Sequence, residues 1–157
     1  MSGSGITYTF HDDVDAMQDS IDIGHLAGKY LTPERLEHAA FAITAHRDGF
    51  TGGLIIAEMP WGMKGASWKR LVADPIELGA LFVDPSWRGT SAAYRLMTMA
   101  LDGAVRLGRT PVAITETGSA VHQNLPRIGA EPQLPYVMGD MEYTPWILMP
   151  ARVPLAA

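Results

Sequence analysis

Short apolar stretches alternate with turn-forming residues along the first fifty positions. Ile6 to Phe10 predicts a short strand, and the carboxylates in His11-Asp12-Asp13 then predict the cap of a helix. A second helix is predicted to begin at Thr32-Pro33-Glu34, where a capping hydroxyl precedes a proline, and to end at Asp48-Gly49. The apolar positions of the first helix are Val14, Met17 and Ile21, and those of the second are Leu36, Ala39, Ala40 and Ile43.

The middle of the chain predicts two further strands. Gly53 to Ala57 is a compact apolar run that favours a strand. A glycine-rich loop from Pro60 to Gly65 then leads to a possible strand at Trp68 to Val72. The large side chains of this region either form a lid over a binding site or pack onto the core. They are Trp61, Met63, Lys64 and Trp68.

The second half mixes strands and helices. Strands are predicted at Ile76 to Val83 and at Pro111 to Thr115, with one helix between them. A further helix is predicted around Ser119 to Ile128. The stretch from Tyr136 to Met149 predicts two strands, broken at Thr144-Pro145. This mixture favours an α/β or α+β layered fold.

Composition excludes several classes of protein and of functional site. A chain of 157 residues with 47% hydrophobic content is expected to form one domain, residues 1–157. The absence of cysteine excludes disulfides and thiolate nucleophiles, and the five scattered histidines show no ligand spacing, so no metal is expected. The net charge of -5 argues against nucleic acid as a partner. Short apolar runs and no visible signal peptide predict a cytoplasmic protein without a membrane partner.

The segment from Glu77 to Met97 carries the candidate chemistry. Asp84-Pro85 ends a strand, and Thr90 or Ser91 then begins a helix among small residues. The unpaired amides and positive dipole end of such a helix attract an anion, and Arg88 adds a permanent positive charge. The same spacing is also typical of an ordinary capped amphipathic helix. The positions predicted to face the core are Ala93, Leu96, Met97, Ala100, Ala104 and Leu107.

Part of this segment, Leu81 to Met97, resembles the acetyl-CoA signature of the GNAT superfamily of N-acetyltransferases, whose loop reads Q/R-x-x-G-x-G/A after a strand. Arg88 takes the first signature position and Ala93 the last, while Ser91 stands where the family usually has a glycine. The likeness extends over residues 53–143. It implies a GNAT-like domain with a mixed, mainly antiparallel sheet of about six to seven strands, with splayed central strands and flanking helices.

The resemblance also implies acetyl-CoA as the cosubstrate and a primary amine, on a small molecule or a protein, as the acceptor. The pyrophosphate would lie on the start of the helix, and the pantetheine arm would pair with the preceding strand like an added strand. Gly79 would mark a bulge that opens a gap for the thioester and the amine. The implied coenzyme residues are Leu81, Phe82, Val83, Arg88, Gly89, Thr90, Ser91, Ala92, Ala93 and Tyr94.

Acetyl transfer to an amine needs a general base and an oxyanion donor. The resemblance makes Glu77 the first candidate for the base, directly or through water. Glu58 and Glu116 are its rivals at the ends of neighbouring strands. A backbone N–H near Leu81 would stabilise the oxyanion.

A general acid is harder to place. Many relatives have a tyrosine where this chain has Leu125, and Pro126 disturbs the helix expected there. The departing thiolate would then take its proton from Tyr136, Tyr143 or His122, or from solvent.

Two other functions stay open. Ser91, Leu125 and Pro126 also fit a GNAT-fold acyl-CoA-binding or scaffold protein that has lost turnover. A transferase that modifies a nucleic-acid base is suggested only by analogy between folds, and the acidic net charge argues against it. The apolar tail from Trp146 to Leu155 is a candidate contact for a homodimer.

Overall fold

The computed structural model describes residues 5–20, 32–87 and 89–149. These ranges form eight strands and five α-helices. The helices are α1 (Val14–Ser20), α2 (Pro33–His38), α3 (Gly62–Leu71), α4 (Ala92–Arg106) and α5 (Ala120–Asn124). The strands are β1 (Thr7–His11), β2 (Ala39–Arg47), β3 (Phe50–Glu58), β4 (Pro75–Val83), β5 (Thr110–Glu116), β6 (Glu131–Pro132), β7 (Tyr136–Met138) and β8 (Met141–Ile147).

All eight strands join one sheet in the order β1-β2-β3-β4-β5-β8-β6, and β7 also pairs with β8. Each neighbouring pair is antiparallel except β4 and β5, which run parallel. The predicted mixed, mainly antiparallel sheet with flanking helices is therefore confirmed. The described residues hold eight strands, against the six to seven expected, and β6 among them has only two residues and leaves no apolar pattern.

Strands β4 and β5 separate soon after they meet. They pair only through Pro75–Glu77 and Thr110–Val112, although β4 continues to Val83. On its other side, β4 pairs Gly79 with Ile56 and Phe82 with Leu54, so three steps of β4 match two of β3. This mismatch is the bulge predicted at Gly79. The result is a V-shaped opening between the carboxyl ends of β4 and β5, as expected for splayed central strands.

Alternating side chains give the sheet two covered faces. On one face, α4 packs Leu96 and Ala100 against a core that includes Ile55 and Ile76. On the other face, α1 and α2 cover Leu54 and Ile56, while Trp68 of α3 packs on Val112. Because Glu58 and Glu77 follow the alternation of the second face, they lie under α2 and α3, away from α4.

The helix predicted from residue 32 to residue 48 is wrong in its second half. Helix α2 begins at the predicted Thr32 cap but ends at His38, and Ala39–Arg47 forms strand β2. Residues 41–45 are all buried, because helices cover both faces of the sheet here. Such a strand lacks polar alternation, so its apolar spacing can match a helix by chance. Ile21 lies outside the described residues.

The predicted loop at Pro60 to Gly65 and strand at Trp68 to Val72 are also wrong, since α3 occupies this region. Glycines usually disfavour a helix, but a Cβ added at Gly65 would lie 2.7 Å from the carbonyl oxygen of Pro60. Close backbone approach, rather than a loop, therefore explains Gly65.

Two predictions for the second half of the chain differ from the structure in detail. The break between β7 and β8 falls at Gly139-Asp140, with Gly139 at φ 68°, while Thr144-Pro145 stays inside β8. Ala93 in helix α4 and Leu107 directly after it are exposed, although both were expected in the core, and the helix buries Ala92 and Leu101 instead. The buried stripe of the helix is therefore rotated slightly from the predicted one, and it already includes Ala92, the first helical residue, which is fully buried.

Trp87 anchors the turn between β4 and α4. Its ring is 3% exposed and lies so close to Gly52 that an added Cβ there would sit 2.6 Å from Cζ2. The Arg47 guanidinium carbon is 5.4 Å from the centre of the Trp87 ring. The Asp84 N–H also donates to the Gly52 carbonyl at 2.7 Å. The turn after β4 is thus fixed to β3 on both sides.

We expect Gly52→Ala to lower the free energy of unfolding by about 1–3 kcal/mol, because the methyl group overlaps the Trp87 ring. Urea denaturation measures the change. In a Trp87→Phe background the same substitution should cost less, since the overlapping ring atoms are gone. Equal stability of Gly52→Ala and the parent chain would contradict this packing.

Candidate active site

The turn after β4 is held by short polar contacts. The Asp84 carboxylate accepts from the Ser86 N–H at 2.9 Å and from its hydroxyl at 2.6 Å. The Thr90 hydroxyl donates to the Trp87 carbonyl at 2.6 Å and accepts from the Ala92 N–H at 3.3 Å. Gly89 has φ 83°, a left-handed conformation that favours glycine. These contacts set where α4 begins.

The first turn of α4 offers unpaired amides to an anion. In an α-helix the first N–H groups have no intrahelical acceptor. Within the described ranges, no acceptor is found for the amides of Ala93 and Tyr94, whose side chains are exposed. Ser91 has φ -88° and ψ 14°, so this position does not require glycine. Arg88 lies outside the described residues.

A cleft of about 650 Å³ runs beside this helix start. One wall is α4 and the other is α5 with the 3₁₀ turn Leu125–Ile128 that follows it. The surface is mainly apolar, which suits a long flexible ligand with few charges along its stem. Its lining residues are Leu81, Thr90, Ala93, Tyr94, Met97, Ala120, Val121, Asn124, Leu125, Arg127 and Ile128.

Some of the predicted coenzyme residues line the cleft and the others do not. Leu81, Thr90, Ala93 and Tyr94 line it, whereas Ala92 is fully buried. Phe82 packs under the opposite face of the sheet, and Val83 packs against the core on the α4 face. Gly89 and Ser91 lie exposed in the adjoining turn.

Arg127 and Asn124 are lining residues that were not predicted. A helix was expected around them, but no motif marks which of its faces meets α4. Leu125, in the place of the tyrosine of many relatives, is 3% exposed and forms part of the cleft wall. Arg127 adds a cation to the cleft wall.

Glu77 is buried beneath α3 with both oxygens engaged. Only 5% of the residue is exposed to solvent. The Lys64 Nζ lies 2.6 Å from Oε2, and the Trp68 Nε1–H donates to Oε1 at 3.2 Å. Lys64 and Trp68 therefore belong to α3 and hold Glu77, rather than forming a loop over the site.

Glu58 lies directly opposite Glu77 in the antiparallel pair of β3 and β4, and it is 4% exposed. Burial raises the pKa of Glu58, and the nearby charge of Glu77 raises it further. The positive charges of Arg35 and Lys64 oppose part of that rise. Glu58 therefore keeps its proton to a higher pH than an exposed glutamate, which is the usual tuning of a general base.

Tyr136 and Tyr143 form a cross-strand pair between β7 and β8, with ring centroids 5.8 Å apart. Burial raises the pKa of Tyr136, and the charge of Glu77 together with Tyr143 adds to the rise. Its phenol stays protonated at neutral pH and can donate a proton. The structure thus brings Tyr136 within electrostatic reach of Glu77.

His122 and Glu116 lie elsewhere. The His122 Nδ1 is 3.3 Å from the Thr115 hydroxyl, which also accepts from Trp146 Nε1 at 2.8 Å. Thr115 alternates onto the α4 face, opposite Glu77. Glu116 is exposed at the end of β5, beside Tyr143. No metal-binding group of three or more His, Asp or Glu side chains occurs in the described part of the chain.

A second, smaller pocket of about 260 Å³ opens on the carboxylate side. It lies between α2 and the start of α3, so it approaches the bulge of β4 from the face opposite α4. Trp61 forms part of its wall and is 47% exposed, with its ring 4.7 Å from the His38 ring. The lining residues are Thr32, Glu34, Arg35, Glu58, Trp61, Gly62 and Lys64.

Solved structures share this arrangement of strands and helices. Naa50 of Arabidopsis thaliana, in complex with the bisubstrate analogue CoA-Ac-MVNAL, matches with a TM-score of 0.64 at 15% identity, over 90% of this chain and 97% of that one. A GNAT family acetyltransferase from Elizabethkingia anophelis with acetyl-CoA bound matches with a TM-score of 0.62 at 13% identity, over 92% and 97%. The ribosomal-protein-S18-alanine N-acetyltransferase of Escherichia coli matches with 0.59 at 13%, over 89% and 92%.

These matches define the class of fold: the chain has the fold of the GNAT acetyltransferases. No model of a protein family matches the sequence, and no curated protein matches it either. Among the described residues, none of the helices is long and apolar enough to cross a membrane.

We expect Glu58→Gln to raise the melting temperature at neutral pH. Because the folded pKa of Glu58 lies above its unfolded value, the folded chain binds more protons between these values, and its stability falls as the pH rises through that window. Glutamine carries no charge, so the variant escapes this loss. The gain should shrink as the pH falls below the unfolded pKa.

Thermal unfolding from acid to neutral pH measures this difference. Glu142→Gln is the matched control, because Glu142 is exposed on β8. A Glu58→Gln gain that does not change with pH would contradict the assigned cause.

Proposed function

We propose that the protein is an N-acetyltransferase that moves the acetyl group of acetyl-CoA to a primary amine. The observation that carries this proposal is the V-shaped opening between β4 and β5, with the amide-rich start of α4 on one face and two buried carboxylates on the other. Support also comes from neighbours of the same fold whose structures hold acetyl-CoA or a coenzyme A analogue. The sequence's expectation of a cytoplasmic protein goes with this proposal.

The cleft beside α4 is the proposed coenzyme site. The pyrophosphate would lie at the start of α4, where the amides of Ala93 and Tyr94 have no acceptor among the described residues, and Arg88 and Arg127 would add charge. Beyond Glu77, one edge of β4 has no paired strand, so the backbone of Leu81 to Val83 can pair with the amide-containing pantetheine arm. The apolar wall around Met97 and Val121 suits the uncharged part of that arm.

The chain's own groups account for the transfer. One of the carboxylates Glu58 and Glu77 takes a proton from the acceptor ammonium, directly or through water. A backbone N–H near Leu81 stabilises the oxyanion as the new C–N bond forms. When the C–S bond breaks, the thiolate takes a proton from Tyr136, with Tyr143 as the second candidate. The acylated nitrogen releases its second proton through water, and that proton restores the phenol. Because the chain has no cysteine, no thiolate is present to carry the acetyl group, which supports direct transfer in a ternary complex.

Glu77 remains the first candidate for the base because it lies on β4, two residues before the bulge. Its oxygens are held by Lys64 and Trp68, which favours a role through water. Glu58, the predicted rival, has a raised pKa, which makes its carboxylate a stronger base than that of an exposed glutamate.

A second candidate function is binding of acyl-CoA without turnover. It is favoured by the buried, apolar Leu125 in the cleft wall, where many relatives have their acid. Acetyl-CoA binding without thiol release over a broad panel of amines would support it. A nucleic-acid-modifying transferase finds no support beyond the shared fold, and the net charge of -5 opposes it.

We expect Ala93→Glu to weaken acetyl-CoA binding roughly tenfold or more, because it sets a negative charge beside the pyrophosphate site. A carboxylate in the first helical turn is favourable for the helix itself, so the fold should be kept. Titration calorimetry measures the affinity. Ala66→Glu, at an exposed position of α3, is the matched control. Unchanged affinity in Ala93→Glu would contradict the proposed site.

Turnover distinguishes the two carboxylates. The base should lose roughly 100-fold or more in kcat when it becomes glutamine, since general base catalysis typically contributes that much. Free thiol release with a reactive amine measures Glu77→Gln and Glu58→Gln side by side, and calorimetry checks that both still bind acetyl-CoA. If neither variant loses turnover, the carboxylate pair is not the base.

A further inference from the structure

Arg35 reaches the bulge of β4 from helix α2. The helix start is held by the Thr32 hydroxyl, which accepts from the Arg35 N–H at 3.3 Å. A Cβ added at Gly79 would lie 3.2 Å from Arg35 Nη1 and 3.8 Å from Glu58 Oε1. The guanidinium and the Glu58 carboxylate therefore both adjoin the same backbone position, where β4 leaves its regular pairing with β3.

This guanidinium has an unused donor. Among the described residues, two buried side-chain nitrogens lack a hydrogen-bond partner: Arg35 Nη1 and His38 Nδ1. Both belong to α2, and the Trp61 ring that stacks near His38 also lines the small pocket. A buried, charged donor without an acceptor is costly, so it points to an acceptor that a ligand supplies.

The small pocket carries both signs of charge. Glu58 and Arg35 line it together, and Lys64, the other cation, already pairs with Glu77 at 2.6 Å. Arginine presents a planar fork of donors that matches a carboxylate in a bidentate way. At about 260 Å³, the pocket is smaller than the ~300–1,000 Å³ typical of sites for drug-sized ligands.

We propose that Arg35 binds the carboxylate of the acceptor, so that the acceptor is a small amino acid whose amine faces Glu58 while its carboxylate faces Arg35. This inference rests on the proposed function. The geometry joins an amine site and a carboxylate site within one small pocket, which suits a zwitterion. A peptide amino terminus has only a neutral carbonyl beside its amine, which accepts a weaker hydrogen bond from Arg35 than a carboxylate does.

The test compares matched acceptors. Each free amino acid is assayed against its amide and against the amine that lacks the carboxyl group, with acetyl-CoA and thiol release as the readout. We expect kcat/KM for the free acids to exceed that for both analogues roughly 10- to 100-fold, as for a hydrogen bond to a charged group.

Variants separate recognition from folding. Arg35→Gln should lower kcat/KM for the free acid by the same factor and leave the decarboxylated amine nearly unchanged, which a purely structural role would not do. Arg35→Lys, which keeps the charge but loses the fork, should fall between. Arg106→Gln is the control, because Arg106 is exposed on α4 and pairs only with Asp102 at 2.9 Å among the described ion pairs.

The outcomes are distinct. Equal turnover of acids, amides and decarboxylated amines, or a preference for peptide amino termini, would overturn the zwitterion inference and leave the acetyltransferase proposal standing. An Arg35→Gln variant that loses all three acceptors equally would also overturn it. Acetyl-CoA binding with no turnover of any amine would overturn both proposals.

Discussion

The fold depends on one constraint: strand β4 keeps its antiparallel partner β3 to its end but loses its parallel partner β5 after three residue pairs. The bulge after Gly79 turns β4 away, and Trp87 against Gly52 fixes its end to β3. This splay leaves one edge of β4 without a neighbouring strand beyond Glu77. A ligand with amides of its own can pair with such an edge, which supports the proposed binding of an extended coenzyme arm.

The two sides of the opening differ in chemistry because strand residues alternate between faces. The α4 side presents helix amides and apolar walls, as a phosphate-bearing, flexible ligand needs. The opposite side presents Glu58, Glu77 and Arg35 under α2 and α3. Thioester and acceptor would therefore approach β4 from different faces and meet at the bulge. Such separation suits direct transfer, in which neither substrate blocks the entry of the other.

Local signals predicted the elements around the coenzyme cleft. Asp84-Pro85 and the predicted cap at Thr90 or Ser91 mark the turn chemically, and Gly79 marks the bulge, so the strand, turn and helix were found from the chain alone. Strand β2 could not be found this way, since burial on both faces removes its alternation. Helix α3 was hidden by Gly65, whose role depends on contact with Pro60.

The candidate acceptor site was only partly predictable, because its residues are brought together by strand register and helix packing. Glu77 was named from the family resemblance and Glu58 as a carboxylate at a strand end, but their pairing across β3 and β4 needs the register. Arg35 reads as a surface helix residue, and its significance appears only where α2 meets Gly79. The roles of Tyr136 and Tyr143 stay predictions.

The most direct test of the account is a map of amide chemical shifts as coenzyme A is added to the isotopically labelled protein. The account predicts that the largest shifts fall on the amides of residues 81–83 and 89–94, with a smaller group at the α5 wall around Arg127. Saturating coenzyme A that leaves these amides unmoved, or that shifts amides only on other surfaces, would contradict it.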